Sequence, residues 1–246
     1  MESIRGKVIM VTGASKGIGA DIARALALAG GILVINYAHS EAAAEDLVSD
    51  IRNNGGNAIA VKADVSKSTE VRLLFDTVIQ HFGKVDILIN NAGISIYKLI
   101  KDTTDDDFEH IFNINVKGTF NTMREAASRL SDSGRIINIS SSVTRLMLPT
   151  YGTYSATKAA VEQMTKVFAK EMGHRKITVN SISPGPVNTE LFTQGKTEET
   201  IARLASMSAF NRIGETADIA NVISFLVSDA AQWVTAQNIG VNGGFA

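Results

Sequence analysis

The 246-residue sequence has no cysteine, three prolines, one tryptophan and almost balanced charge, 24 basic against 25 acidic side chains. Without cysteine there is no disulfide and no thiolate metal ligand. A net charge of −1 leaves no electrostatic footprint for nucleic acid or an anionic membrane. No apolar run approaches the roughly 20 residues that cross a bilayer. The apolar run at 8–11 is too short for a signal sequence and leads into a glycine turn, so the expected location is cytoplasmic. His39, His81, His110 and His174 share no element at metal-ligand spacing, and no metal site is expected.

What is present is a 45% hydrophobic chain, enough for a sizeable core. Short apolar runs at 7–11, 31–36, 58–63, 85–89, 135–139, 177–182 and 238–242 read as strands. Between most of them lie helical patterns, including 42–53, 69–82, 108–129, 159–172 and 216–228. Strand-helix alternation without a linker or repeat predicts one doubly wound α/β domain over 1–246. Thr103-Thr104 followed by Asp105-Asp106-Asp107 reads as a helix cap and first turn rather than an acid cluster. Asn115 and Gly118 are locally unfavourable inside the 108–129 helix, which points to a packing or functional reason. Residues 190–212 lack clean periodicity but carry Phe192, Leu204, Met207 and Phe210. They are a candidate substrate lid, with ordinary surface helices as the alternative.

After the first strand comes Thr12-Gly13-Ala14-Ser15-Lys16-Gly17-Ile18-Gly19. Strand, glycine turn and helix can present backbone N–H groups to a phosphate. The spacing is neither the Gly-x-Gly-x-x-Gly fingerprint nor a P-loop, so a plain connection stays open at this point. The second strand ends in Tyr37-Ala38-His39-Ser40, with no carboxylate before Glu41 to take a ribose hydroxyl. Together with Lys16 this favours a 2′-phosphate, hence NADP(H) over NAD(H), although Lys16 also reads as a solvated turn residue. Asp64-Val65 and Asn90-Asn91-Ala92-Gly93 stand at the ends of strands three and four, where open α/β sheets bind ligands.

Tyr154 and Lys158 are four residues apart, so a helix puts them on one face, and Ser141 lies thirteen residues before the tyrosine. A nearby ammonium favours the phenolate and brings a phenol toward acid-base use. Tyr97 and Lys101 share the spacing but lack the upstream hydroxyl, and Tyr151 meets Ser155 instead of lysine. A substrate pocket is expected to draw on Ile94, Ser95, Ser141, Val143, Met147, Tyr151, Tyr154, Pro186 and the lid.

Taken in order, Thr12-Gly13-x-x-x-Gly17-x-Gly19, Asp64-Val65, Asn90 to Gly93, Asn115-Val116-x-Gly118, Ser141, Tyr154-x-x-x-Lys158 and Pro184-Gly185 resemble the short-chain dehydrogenase/reductase family. The resemblance runs over essentially the whole chain. It implies a Rossmann-type fold with seven parallel strands. By resemblance, Tyr154 is the proton donor or acceptor, Lys158 holds the nicotinamide ribose, and Ser141 binds the carbonyl oxygen. Asn115 (with Asn113 as a nearby rival) holds a relay water. The glycine turn with Ser15 and Ile18 lines the diphosphate, Asp64 and Val65 meet the adenine, and Asn91 meets a ribose beside Ala92 and Gly93. Pro184, Gly185, Val187 and Thr189 hold the carboxamide end. The segment from Tyr37 to Ser40 resembles that of NADPH-dependent members, including fungal polyhydroxynaphthalene reductases. The usual assembly of the family is a dimer or tetramer.

The leading expectation is therefore an NADPH-dependent carbonyl reductase, with 3-oxoacyl-carrier-protein reduction as one natural activity. An acyl-carrier protein would need a basic patch, for which Lys98, Lys101, Arg124, Arg129 and Arg145 are candidates. A sugar or polyol dehydrogenase running oxidatively is the enzyme alternative. A nucleotide-sensing binding protein without turnover is the alternative of another class.

Overall fold

In the computed structural model, which describes residues 4–246, strand β1 (Val8–Val11) is buried on both sides. Its side chains alternate: Ile9 and Val11 enter one apolar core, Val8 and Met10 the other. That is the signature of a parallel strand covered by helices on both faces.

The remaining strands are β2 (Ile32–Tyr37), β3 (Asn57–Lys62), β4 (Val85–Asn90), β5 (Leu130–Ile139), β6 (Thr178–Pro184) and β7 (Asn238–Val241). They form one parallel sheet in the order β3-β2-β1-β4-β5-β6-β7. The order reverses between β1 and β4, so a crevice opens there at the strand C-termini. One face carries α1 (Gly17–Leu28), α2 (Glu41–Asn53) and α9 (Thr216–Leu226), through residues such as Leu26, Leu47 and Ile223. The other carries α3 (Ser68–Phe82), α5 (Gly118–Arg129) and α6 (Gly152–Glu171), through Phe75, Met123 and Phe168. The expected seven-stranded, doubly wound α/β architecture is thus observed.

Two stretches differ from the expectation, and a third, 190–212, takes the helical form that stood as its alternative. The continuous helix over 108–129 is broken into α4 (Asp105–Phe112), a π-helical turn (Asn113–Lys117) and α5. The break has a side-chain cause. Asn115 turns inward to bond the chain at Ile94, and a Cβ at Gly118 would lie 2.7 Å from Val65 Cγ2. A π turn accommodates one such inward residue without ending the helix. Strand β5 begins five residues earlier than its apolar run, because Leu130 pairs with Val85 before a register shift. The 190–212 stretch contains two short helices, α7 (Glu190–Thr193) and α8 (Glu198–Ser206). Thr104 does cap α4, in a capping box with Asp107.

Candidate active site

The crevice between β1 and β4 is built by side chains that stitch neighbouring strand ends together. Thr12 Oγ1 accepts hydrogen bonds from the amides of Asn91 and Ala92, at 3.0 and 3.1 Å. Asn91 Nδ2 returns two bonds of 2.9 Å to the carbonyls of Thr12 and Gly13. Asn36, at the end of β2, accepts from the amide of Gly13 through Oδ1 and donates to the carbonyl of Ala63 beyond β3. Gly13 has φ +58°, and a Cβ there would lie 2.8 Å from Ala92 Cα, so the turn requires glycine twice over. Lys16 precedes α1 without a side-chain cap, which leaves the amides of the first helical turn for an anion.

The resulting cleft has a volume of about 670 Å³. Gly13, Ser15, Lys16, Gly17, Ile18, Ala38, His39, Asp64, Val65, Asn91, Ala92, Gly93 and Thr189 line it. Gly19 instead serves packing: a Cβ would meet Asn91 Nδ2 at 2.5 Å. Tyr37 and Ser40 do not line the cleft. Tyr37 is buried with its phenol toward Glu41, and burial followed by the Glu41 charge raises its pKa. Lys16 Nζ lies 2.7 Å from Glu190 Oε2, an exposed pair in which the lysine holds the carboxylate below its ordinary range. Sequence reasoning missed Asn36, Ala63, Ser66, Lys67, His110, Ile114 and Lys117 in the lining, and had Glu190 and Leu191 only as part of the expected lid. Asn113, weighed as a rival to Asn115, is there too. Only Ser66 and Lys67 carried a signal, following Asp64-Val65 directly.

A second pocket, about 150 Å³, continues from this cleft and shares Ile18, Asn91, Gly93, Ile94, Thr189 and Leu191 with it. Tyr154, Lys158 and Ser141 lie in its wall, as do Val143, Tyr151, Pro184, Gly185, Pro186 and Val187. Helix α6 supplies the tyrosine and lysine on one face, and the turn after β5 supplies the serine. Lys158 is 5% exposed; its Nζ donates to the carbonyl of Ile139 at 2.9 Å and lies 5.8 Å from the centre of the Tyr154 ring. Burial brings Lys158 down to about 8. Burial is also the largest influence on Tyr154 and pushes its phenol above the ordinary tyrosine range, while the hydrogen bond with Ser141 pulls it back. Within the chain alone, the lysine does not outweigh burial of the tyrosine.

Asn115 is 1% exposed and bonds Ile94 in both directions, accepting from its amide at 2.8 Å and donating to its carbonyl at 2.9 Å. Its Nδ2 also donates to Thr157 Oγ1, on the turn of α6 between Tyr154 and Lys158. Gly93 fills the gap: a Cβ there would lie 3.2 Å from Asn115 Oδ1 and 3.4 Å from Lys158 Nζ. Asn115 therefore fastens the loop after β4 to the helix that carries the tyrosine and lysine.

The outer wall is largely aromatic: Tyr151, Phe192 and Leu204 come from the expected pocket and lid, whereas Tyr97, Leu148 and Phe245 were not singled out for it. Tyr97 packs on Tyr151, ring centres 4.6 Å apart, and edge-on to Tyr154 at 6.3 Å. Leu148, Phe192, Leu204 and Phe245 complete it. Met147 is 99% exposed and, like Ser95, does not reach the pocket. Lys196 sits outside, 4.7 Å from the ring centres of both Tyr97 and Phe192, and donates to the carbonyl of Phe192. Burial pushes Tyr151 up to about 12. A neutral phenol in the wall of the second pocket can donate a proton to a substrate oxygen, with a serine hydroxyl beside it to hold that oxygen. Among the described residues no cluster of His, Asp or Glu could hold a metal ion, and no helix is long and apolar enough to cross a membrane.

A family profile described as enoyl-(acyl carrier protein) reductase matches residues 13–246. A short-chain type dehydrogenase/reductase of Picea abies is 44% identical, covering 97% of this chain and 92% of its own. An NADPH-dependent aldehyde reductase-like protein of Arabidopsis thaliana, described as chloroplastic, is 43% identical over 98% of this chain and 95% of its own. The crystal structure of a short chain dehydrogenase from Burkholderia cenocepacia in complex with NADP superposes with a TM-score of 0.94. It is 33% identical, and the match covers 99% of each chain.

Proposed function

The chain belongs to the short-chain dehydrogenase/reductase family of oxidoreductases, and on that premise we propose that it is an NADPH-dependent reductase of ketones or aldehydes. The observation that carries this reading is the placing of Tyr154, Lys158 and Ser141 where the long cleft opens into the aromatic pocket. The glycine turn, with its positive-φ Gly13 and Gly17 and the open helix start, fits a dinucleotide diphosphate. Such a cofactor, when bound, supplies the hydride and, in its oxidised form, a positive charge near the phenol. The absence of a carboxylate at the end of β2, where Ala38 and His39 line the cleft, supports the 2′-phosphate form, as do the NADPH-dependent relative and the NADP complex.

In this reading Ser141 holds the substrate oxygen while Tyr154 donates its proton to it. Lys158, anchored on Ile139, keeps its ammonium beside the phenol and would hold the cofactor ribose. Asn115 holds the loop of Gly93 and Ile94 against α6, so the site closes around the reacting carbon. Residues 190–212 act as the substrate lid in this reading, supported by Leu191, Phe192 and Leu204, which wall the pocket from that segment. The aromatic wall favours aryl or other planar carbonyl compounds. An acyl-carrier protein has weaker support, because Lys98 is committed to Asp107 and Arg129 to Asp76 and Glu125. Exposed Phe108, Phe120 and Val167, on α4, α5 and α6, support self-association into a dimer or tetramer, which light scattering would read.

The test is NADPH and NADH oxidation against a panel of aryl ketones, aldehydes, diketones, acetoacetyl thioesters and sugars. We expect turnover of carbonyl compounds with the larger kcat/KM for NADPH. Tyr154→Phe should lower kcat by at least about 10³-fold and leave NADPH binding, read by fluorescence, within about two-fold. A variant that kept most of its kcat would remove the proposed chemistry.

A further inference from the structure

The carboxylate of Glu162 lies one helical turn beyond Lys158 on α6, and nothing in the chemistry above uses it. Its Oε1 accepts from Ser140 Oγ at 2.7 Å and from Thr144 Oγ1 at 2.8 Å, and Ser183 Oγ lies 3.3 Å away. The Ser183 hydroxyl has a closer acceptor in Asn238 Oδ1 at 2.8 Å, so the two donors that commit to Glu162 are Ser140 and Thr144. These residues bracket the turn that carries Ser141 and Val143. The same turn is tied to α6 at a further point, where Ser155 Oγ donates to the carbonyl of Val143 at 3.1 Å.

We propose that Glu162 is a positioning residue: it clamps both ends of the 140–144 turn onto α6 and so fixes Ser141 against Tyr154. Ser141 follows a strand end and Tyr154 sits in a helix, so their separation depends on how the intervening turn is held. A single acceptor oxygen taking both flanking hydroxyls removes the freedom of that turn to rock on the helix. Ser140 is 2% exposed, so if the carboxylate is withdrawn its hydroxyl is left with only the long bond to the Lys158 carbonyl at 3.4 Å and no water to turn to. Groups that must stay within about 0.5 Å of a productive geometry are held by supports of this kind. This inference rests on the assignment of Tyr154 and Ser141 to the reaction.

The test is a mutant cycle with three readouts: kcat and KM for a carbonyl substrate, NADPH affinity by fluorescence, and thermal midpoint. Glu162→Gln keeps an acceptor but weakens it and should lower kcat about three-fold; Glu162→Leu should lower it about ten-fold. KM and NADPH affinity should stay within about two-fold, because the substrate walls and the cofactor cleft are built elsewhere. In a Ser141→Ala background Glu162→Gln should change kcat by less than about two-fold, since the group it positions is gone. Ser140→Ala combined with Thr144→Val removes the two donors without touching the carboxylate, and should reproduce the kcat loss even if Glu162→Leu fails to fold. Additive losses in the Ser141→Ala background, or an unchanged kcat in the donor-deleted variant, would overturn the assignment. If Tyr154→Phe kept its activity, the underlying reaction would fall instead, which is a separate result.

Discussion

The two clefts, which meet along Gly93, Ile94 and Thr189, are made in different ways. On the long side, Thr12, Asn36 and Asn91 bond strand end to strand end, mostly through backbone amides and carbonyls, and Thr12 and Asn36 are each 1% exposed. On the short side, the walls come from Tyr97, Leu148, Phe192, Leu204 and Phe245, drawn from separate loops and short helices, with Tyr97 packed on the Tyr151 ring. Several of their neighbours are open to solvent, including Leu191 and Met207. Backbone bonding allows few residue types at each position. Side-chain packing on exposed helices tolerates any residue of suitable size. A chain built this way keeps one cofactor geometry while its substrate wall is free to change.

The largest effect that would test this contrast falls at the junction, on Lys158. Burial brings it from 10.5 to about 8. Below pH 8 the folded and unfolded chains both carry the ammonium, and folding bears the full cost of burying it. Between about 8 and 10.5 the unfolded chain still holds a proton that the folded chain has released, so stability rises with pH through that window. The full difference is on the order of 3 kcal/mol, most of it gained by pH 10. Lys158→Met should abolish this rise, giving a gap from wild type in urea unfolding that changes between pH 7 and pH 10. Measurements stop near pH 10, where tyrosines of the unfolded chain begin to ionise. Parallel profiles for the two proteins would show that the buried ammonium carries no such cost.

A smaller effect separates the two sides directly. Gly19→Ala gains about 1 kcal/mol in helix propensity. Its Cβ, however, would stand 2.5 Å from Asn91 Nδ2 and 2.9 Å from Ala14 Cα, and the second of these is backbone that cannot swing away. Overpacking of that kind costs about 1–3 kcal/mol, so collision outweighs propensity. The expected result is a thermal midpoint lower by a few degrees, together with weaker NADPH binding, because Asn91 braces the glycine turn. Phe192→Leu, on the substrate side, should leave both unchanged and alter only KM. A Gly19→Ala protein as stable as wild type would erase the contrast.

The same contrast explains what could be read from the sequence. Gly13, Asp64 and Gly93 were visible because their positions follow from strand ends, and strands are set by local apolar pattern. Tyr97 was set aside because it lacks an upstream hydroxyl, yet it packs on Tyr151 and flanks Tyr154, a contact between distant loops that no spacing encodes. Met147 was expected in the pocket and points outward for the same reason, since the turn after β5 has no period from which to read its direction. Asn115 and Gly118 flagged an anomaly in their helix, but that its outcome is a π turn depends on Ile94 and Val65, far away in the chain. Lys16 lines the cleft, and its Glu190 partner was invisible at a separation of 174 residues.

That pair gives the smallest expected effect, and it lies where the lid segment crosses to the glycine turn. Both side chains are mostly exposed, 64% and 68%, so the bond itself contributes little to stability. Its consequence is for binding: Glu190 holds the Lys16 ammonium and adds a negative charge to the wall of a cleft proposed to take a polyanion. Glu190→Gln frees the lysine and removes that charge, so NADPH should bind about two- to five-fold more tightly at low ionic strength. Between about 0.01 M and about 1 M salt the Debye length falls from about 30 Å to about 3 Å, and the gain should vanish over that range. NADH carries the diphosphate but not the 2′-phosphate, so its affinity should change less. Equal gains for both cofactors would mean that Lys16 serves the diphosphate, and no gain at low salt would mean that the bond to Glu190 is too weak to compete with either. Only a larger gain for NADPH ties the charge on the lid segment to recognition of the 2′-phosphate, linking the side of the molecule that is free to vary to the side that is not.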